Sequence, residues 1–266
     1  MNELRNDKWK KQVACLTVII LLLLGLPACG KKQAPRSPLP QGENQTAPVK
    51  KPVPGGMQIT TRSVSSQEQY YKVDLKIPVI EGMRQPKTQL VLNDKLAAPQ
   101  VELRDQLGNQ VGQYVAEAKK LRDTVTPYEL VSTYEVHIQR SMFLSLTEDV
   151  YQFTGGAHGS TQRLPFNFDL DAGKELSLKE LFPTGYDYQT PINQEIKKQI
   201  ATHPQDFFQD KNGFQGISAQ QPYYVENGNL VVYFGQYAIA PYSSGIQEFK
   251  IPFTHFNGKI DNRVLG

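Results

Sequence analysis

Between Tyr128 and Arg140 the chain reads YELVSTYEVHIQR, and this stretch limits the possible folds more than any other. Leu130, Ser132, Tyr134, Val136 and Ile138 fall on one side of a two-residue period, and Glu129, Val131, Thr133, Glu135, His137 and Gln139 on the other. Side chains alternate across a pleated strand, so this pattern predicts a half-buried antiparallel strand. Such a strand needs neighbours, and the flanking sequence offers them. Tyr70 to Ile80 sets Val73, Leu75 and Ile77 against Lys72, Asp74 and Lys76, and Phe143 to Phe153 follows. From Arg163 to Leu170, Leu164, Phe166, Phe168 and Leu170 alternate with more polar positions, before a turn at Asp171-Ala172-Gly173. Further on, Glu226-Asn227-Gly228-Asn229 is a hairpin turn between Pro222 to Val225 and Leu230 to Phe234, and Phe249, Ile251 and Phe253 close the sheet.

Helical periodicity fills the gaps between strands. Leu92 and Leu96, then Leu103, Leu107, Val111, Tyr114, Ala118 and Leu121 recur at intervals of three and four, with Pro99 expected to kink or separate them. Gly108 and Gly112 weaken the second of these segments. Ser177-Leu178-Lys179-Glu180 has capping-box spacing, and Pro183 ends that short helix. Thr190-Pro191 opens another, in which Ile192, Ile196 and Ile200 form one stripe. The expected fold is α+β: antiparallel sheets with packed helices, two strand-and-helix halves at 57–160 and 161–266 in one compact unit.

The residues ahead of this unit follow different rules. A flank carrying Arg5, Lys8, Lys10 and Lys11 precedes the apolar run Val13 to Leu26, about fourteen residues where a spanning helix needs roughly 20, as in a secretory signal. Leu26-Pro27-Ala28-Cys29-Gly30 then resembles the lipobox of bacterial lipoproteins, with Pro27 a less usual filler. That resemblance implies a signal peptide over 1–28 and a diacylglycerol thioether at Cys29, which would hold the chain on the extracytoplasmic face of the cell membrane; two or more acyl chains anchor stably where one does not. The other reading, a free Cys29 beyond an uncleaved segment, puts the domain on the same side. Residues 29–56 contain Pro35, Pro38, Pro40, Pro48, Pro52 and Pro54 and few large apolar side chains, the composition of an extended tether. Its lysines and arginine suit anionic headgroups. With Cys15 inside the signal, the remaining domain has no thiol to pair and depends on its core, which is feasible at about 210 residues.

Charge narrows the partners. From Met57 onward the chain carries 20 basic and 23 acidic side chains, a net of −3 beneath the +3 of the whole sequence. A nucleic-acid binder would show a basic surface, and a mildly acidic domain favours a cationic partner instead. No catalytic set stands out: there is no G-x-S-x-G elbow and no phosphate or dinucleotide fingerprint, so neither enzyme activity nor a cofactor is expected. His137, His158, His203 and His255 are scattered, without metal-ligand spacing. Glu148 and Asp149 point to opposite faces of a strand and are expected to be solvated edge charges.

Two loops carry the candidate site. Phe153-Thr154-Gly155-Gly156-Ala157-His158-Gly159 permits positive φ and close backbone approach, so Gly155, Gly156 and His158 could meet a ligand. The same segment also reads as a bulged hairpin in which His158 caps a carbonyl. The second loop holds Tyr237, Pro241 and Tyr242 beside Ser243-Ser244-Gly245, a turn whose rigid aromatics suit recognition.

Tyr151 to Gly159, Phe168 with Leu178 to Phe182, Val232-Tyr233-Phe234, Tyr237 to Gly245 and Ile251-Pro252 resemble the paired domains of unknown function in RsiV-like lysozyme-sensing anti-sigma factors and in PdaC-type proteins, over roughly Met57 to Phe256. The resemblance implies a protein-binding or wall-facing module with lysozyme or a similar wall hydrolase as partner. Only about twelve residues precede the apolar run, so no sigma-factor-binding domain is expected. The alternatives are a peptidoglycan or wall-glycan module using its tyrosines and, third, a hydrolase built around His158.

Overall fold

The computed structural model describes residues 56–121 and 125–265; the expected signal peptide, Cys29 and all of the tether but Gly56 lie outside the described residues. Strands β1 (Gln58–Glu68) and β2 (Tyr71–Glu81) form a hairpin paired over its whole length, from Gln58 opposite Glu81 to Glu68 opposite Tyr71. The chain then crosses through the 36-residue helix α1 (Pro86–Leu121) to lay β3 (Tyr128–Gln139) parallel to β2. A parallel pair cannot be joined by a tight turn, and α1 is the crossover this geometry requires. Antiparallel β4 (Phe143–Phe153), β5 (Ser160–Asp169) and the two-residue β6 (Lys174–Glu175) complete a six-stranded sheet in chain order. The sheets are thus antiparallel everywhere except at β2–β3. The division expected at 160/161 falls at the head of β5, inside this sheet.

Helix α1 runs through Pro99 without the expected separation. Proline inside a helix costs about 3 kcal/mol, but here the helix is buried on the sheet on both sides of it: Leu92 and Leu96 with Leu144, Leu146, Phe166 and Phe168, and Leu107 and Val111 with Val73, Leu75, Leu130 and Val150. The helix also completes β2, whose pairing with β3 ends at Leu75. Asn93 accepts from the Ile80 N–H at 2.7 Å and donates to the Ile80 carbonyl at 2.9 Å, in place of a neighbouring strand.

The second layer is a three-stranded sheet of β7 (Tyr223–Glu226), β8 (Asn229–Phe234) and β9 (Gln247–Pro252), with helix α2 (Gln189–Ile200) packed beside it. Ile192 and Ile196 of α2 are buried with Val225, Leu230, Val232, Phe249 and Ile251, and Ile138 and Phe143 of the first sheet join them. The layers are fastened at buried polar points: Ser145 Oγ accepts from Val225 N–H at 2.8 Å and donates to Asn167, which donates to the Tyr223 carbonyl at 2.8 Å. Phe143 to Glu148 are therefore six consecutive buried residues, since β4 has α1 on one face and the second sheet on the other.

Two departures from the expected strand faces have local causes. A β-bulge between Val136 and Ile138 shifts the register of β3 on β4, so Val136 packs with the helix side while Ile138 joins the second core. His137 sits at the bulge, stacked on Tyr224 with ring centroids 3.8 Å apart, and its burial lowers its pKa. Glu148 is not a solvated edge charge. It points to the face opposite Asp149, as expected, but is fully buried under α1. A one-way relay reaches it: the Lys76 N–H donates to Ser132 Oγ, the Ser132 hydroxyl to Gln100 Oε1, and Gln100 Nε2 to Glu148 Oε2, while Glu148 Oε1 has no partner. Burial outweighs the Gln100 bond and pushes the Glu148 carboxyl up to about 8.

Near the second core, Ser177 and Glu180 meet as their spacing predicts, around a 3-10 turn (Leu178–Leu181) rather than an α-helix. The Glu180 carboxylate accepts both the backbone N–H and the hydroxyl of Ser177 at 2.8 Å. Together with the Lys174 ammonium, the first of these causes, these bonds hold it at about 2.

Candidate functional site

The glycine-rich loop leaves β4 at Phe153 and returns into β5 at Ser160. Gly155 and Gly156 take φ of 93° and 91°, values costly for other residues, and a side chain at Gly156 would meet open space. Gly159 is different: a Cβ there would lie 2.5 Å from both the Gln152 carbonyl and the Tyr151 ring, so the loop closes tightly on itself at its base. The loop after β8 reaches it from the second sheet. Thr161 N–H donates to Gln236 Oε1 at 2.9 Å, and the Tyr242 hydroxyl donates to the Gly159 carbonyl at 2.8 Å.

An aromatic group forms where the two loops meet. His158 stacks on Tyr242 with centroids 4.0 Å apart, and Tyr237 leans on the other side of the group at 5.5 Å from Tyr242. Tyr237 is 59% exposed and has φ of 64°. A left-handed backbone costs a non-glycine residue about 1–2 kcal/mol, and such strain collects at ligand sites. The cleft between the loops has a volume of about 460 Å³ and is lined by His158, Tyr237 and Tyr242 together with Gln152, Gln162 and Gln236. At its floor, Arg163 donates to both oxygens of Asp149, at 2.6 and 2.7 Å, and to Glu248. Its guanidinium lies 5.8 Å from the Tyr233 ring centre. Two carboxylates around one cation leave this floor mildly negative.

Of the residues singled out from sequence, the structure brings His158, Tyr237 and Tyr242 together in one cleft. Gly155 and Gly156 shape the loop without lining it, and exposed Pro241 starts the 3-10 turn Tyr242–Ser244. His158 Nδ1 lies 3.0 Å from the Gly159 carbonyl, so the carbonyl-capping arrangement is present alongside the stacking. Sequence reasoning missed Gln152, Gln162, Arg163 and Gln236. Gln152 at the open end of β4 carries no local signal of the cleft, and nothing local links Arg163 to Glu248, 85 residues away.

Comparison with known proteins adds to this geometry. Residues 64–161 match the family described as Deacetylase PdaC, and residues 179–254 match a protein family of unknown function, DUF3298. The anti-sigma-V factor RsiV of Bacillus subtilis (strain 168) is 26% identical over 217 residues, covering 78% of this chain and 70% of RsiV. The chain resembles the RsiV and PdaC-type domains. Two solved DUF3298 structures share the fold of this chain. One, from Bacteroides fragilis NCTC 9343, has a TM-score of 0.63 at 17% identity, covering 79% of this chain and 95% of its own. The other, from Pseudomonas aeruginosa PAO1, has a TM-score of 0.53 at 20% identity over 82% and 98%.

Proposed function

We propose that this chain is a lipid-anchored extracytoplasmic binding protein, held at Cys29, whose cleft takes lysozyme or a similar cationic wall hydrolase and performs no catalysis. The observation that carries this reading is Tyr237: a large aromatic ring, exposed and held on a strained backbone beside the His158–Tyr242 stack, is arranged for contact rather than for packing. The similarity to an anti-sigma factor supports a protein partner, and the net charge of −3 from Met57 onward supports a cationic one. The strand directions support presentation away from a membrane. Residue 57 starts the sheet beside the ends of β2 and β3, while the cleft lies at the opposite end of the strands. Eleven-residue strands at roughly 3.3 Å per residue separate the two by roughly 35 Å.

One feature favours a second reading. Gln152, Thr154, Thr161, Gln162 and Gln236 give the cleft a neutral amide and hydroxyl lining beside an aromatic face, which suits a wall glycan. Calorimetric titration of residues 57–266 with hen lysozyme, and separately with a soluble peptidoglycan fragment, distinguishes them. Saturable heat with lysozyme that Tyr242→Ala removes, with the melting curve preserved, is the expected result. Silence with lysozyme and heat with the glycan would replace the first reading by the second; silence with both would overturn the cleft as a binding site.

A further inference from the structure

The sequence holds four methionines, and the three after Met1, namely Met57, Met83 and Met142, line one cleft. They come from three separate places in the chain: the start of β1, the link between β2 and α1, and the β3–β4 turn. The cleft, with a volume of about 530 Å³, lies at the end of the sheet where residue 57 begins it, far from the aromatic cleft. Its walls are fixed by close backbone contacts. A Cβ on Gly82 would sit 2.7 Å from the Gly56 carbonyl, so glycine at 82 lets the two Met-bearing segments touch. The Met57 carbonyl accepts from Gln139 at 2.8 Å, Met83 N–H donates to Gln89 at 2.9 Å, and Leu170 N–H donates to the Met142 carbonyl at 3.0 Å. Met57 and Met83 both pack against the core cluster around Ile80 and Phe168, and Met142 stays 41% exposed above them.

Methionine is a gap filler wherever cores are irregular, and Met57 and Met83 do fill the edge of one core, but gap filling gives no reason for all three methionines from Met57 onward to converge on one open cleft. Thioethers are soft, neutral donors that select Cu(I) over harder cations. The cleft's charged residues, Arg84 and Asp171, offset one another, so a monovalent ion meets no net repulsion. We propose that Met57, Met83 and Met142 form a Cu(I) site of three thioether ligands, independent of the aromatic cleft and of what binds there.

The test uses the full chain in detergent with Cys15→Ser and Cys29→Ser, so that no thiol competes, and Cu(I) supplied under ascorbate against bicinchoninate. One Cu(I) per chain should be withheld from the chelator, with sulfur scatterers in its X-ray absorption spectrum. Met142→Leu, which changes an exposed side chain and keeps the backbone bond to Leu170, should weaken binding at least tenfold, and Met57→Leu/Met83→Leu/Met142→Leu should abolish it with lysozyme binding unchanged. Failure of the parent chain to withhold copper, or equal binding by the triple variant through nitrogen ligands, would overturn the proposal.

Discussion

Replacing Glu148 by glutamine isolates the buried carboxyl under α1. Its folded-state value of about 8, against 4.5 in water, means that the native protein prefers the protonated form and the unfolded chain the ionised one. Stability contributed by this group is therefore complete below 4.5 and lost as the pH rises through 8. At about 1.4 kcal/mol per pH unit, the loss is under 1 kcal/mol at pH 5 and about 4 kcal/mol at pH 8, so this residue alone removes about 3 kcal/mol between them. Glu148→Gln keeps an oxygen to accept from Gln100 and abolishes the titration. Urea unfolding of residues 57–266 at pH 5 and pH 8 should give a wild-type midpoint that falls by about 1 M or more relative to the variant's. Other ionisable groups are common to both proteins and cancel in the comparison. Equal pH dependence in the two would refute the reasoning, because the carboxyl would then not exchange its proton on unfolding in this range.

Three further outcomes follow from the cleft. Gly159→Ala should destabilise the fold by about 2–3 kcal/mol, read as a lower melting temperature, because its Cβ meets a backbone carbonyl and a ring held by β4. Tyr237→Gly should relieve the left-handed strain and raise stability by about 1 kcal/mol while weakening ligand binding, a pairing that thermal melts and calorimetry on one sample check. Tyr242→Phe removes the hydroxyl that donates to Gly159 but keeps the ring against His158, so it should cost about 1 kcal/mol in chemical denaturation and retain more binding than Tyr242→Ala.

The sequence made some of this legible because burial on one face leaves a period. Leu164, Phe166 and Phe168 showed the inner face of β5, and Ile192 and Ile196 that of α2. β1 had no such signature: it is an edge strand with only Ile59 and Val64 as apolar anchors, and its partner β2 rather than its own composition fixes its pairing. The bulge at His137 interrupts a pattern that looked unbroken, since inserting one residue leaves the letters alternating while the faces exchange. Glu148 was misjudged for a related reason. Its burial comes from Gln100 and Ser132, 48 and 32 residues apart from their partners in the relay, and no local window contains that information. The aromatic group of the cleft was visible as residue types on two loops, but its amide lining and the Arg163 floor exist only once two sheets are brought together.

The pairing of β1 along its full length also sets how the molecule bears load. A pull applied between residue 57 and the aromatic cleft acts along the strands, from one end of the sheet to the other. The β1–β2 hydrogen bonds lie across that direction, so the force shears the whole ladder at once instead of peeling it bond by bond. An anchored chain gripped by its ligand would thus be mechanically stiff along the one axis on which it is held.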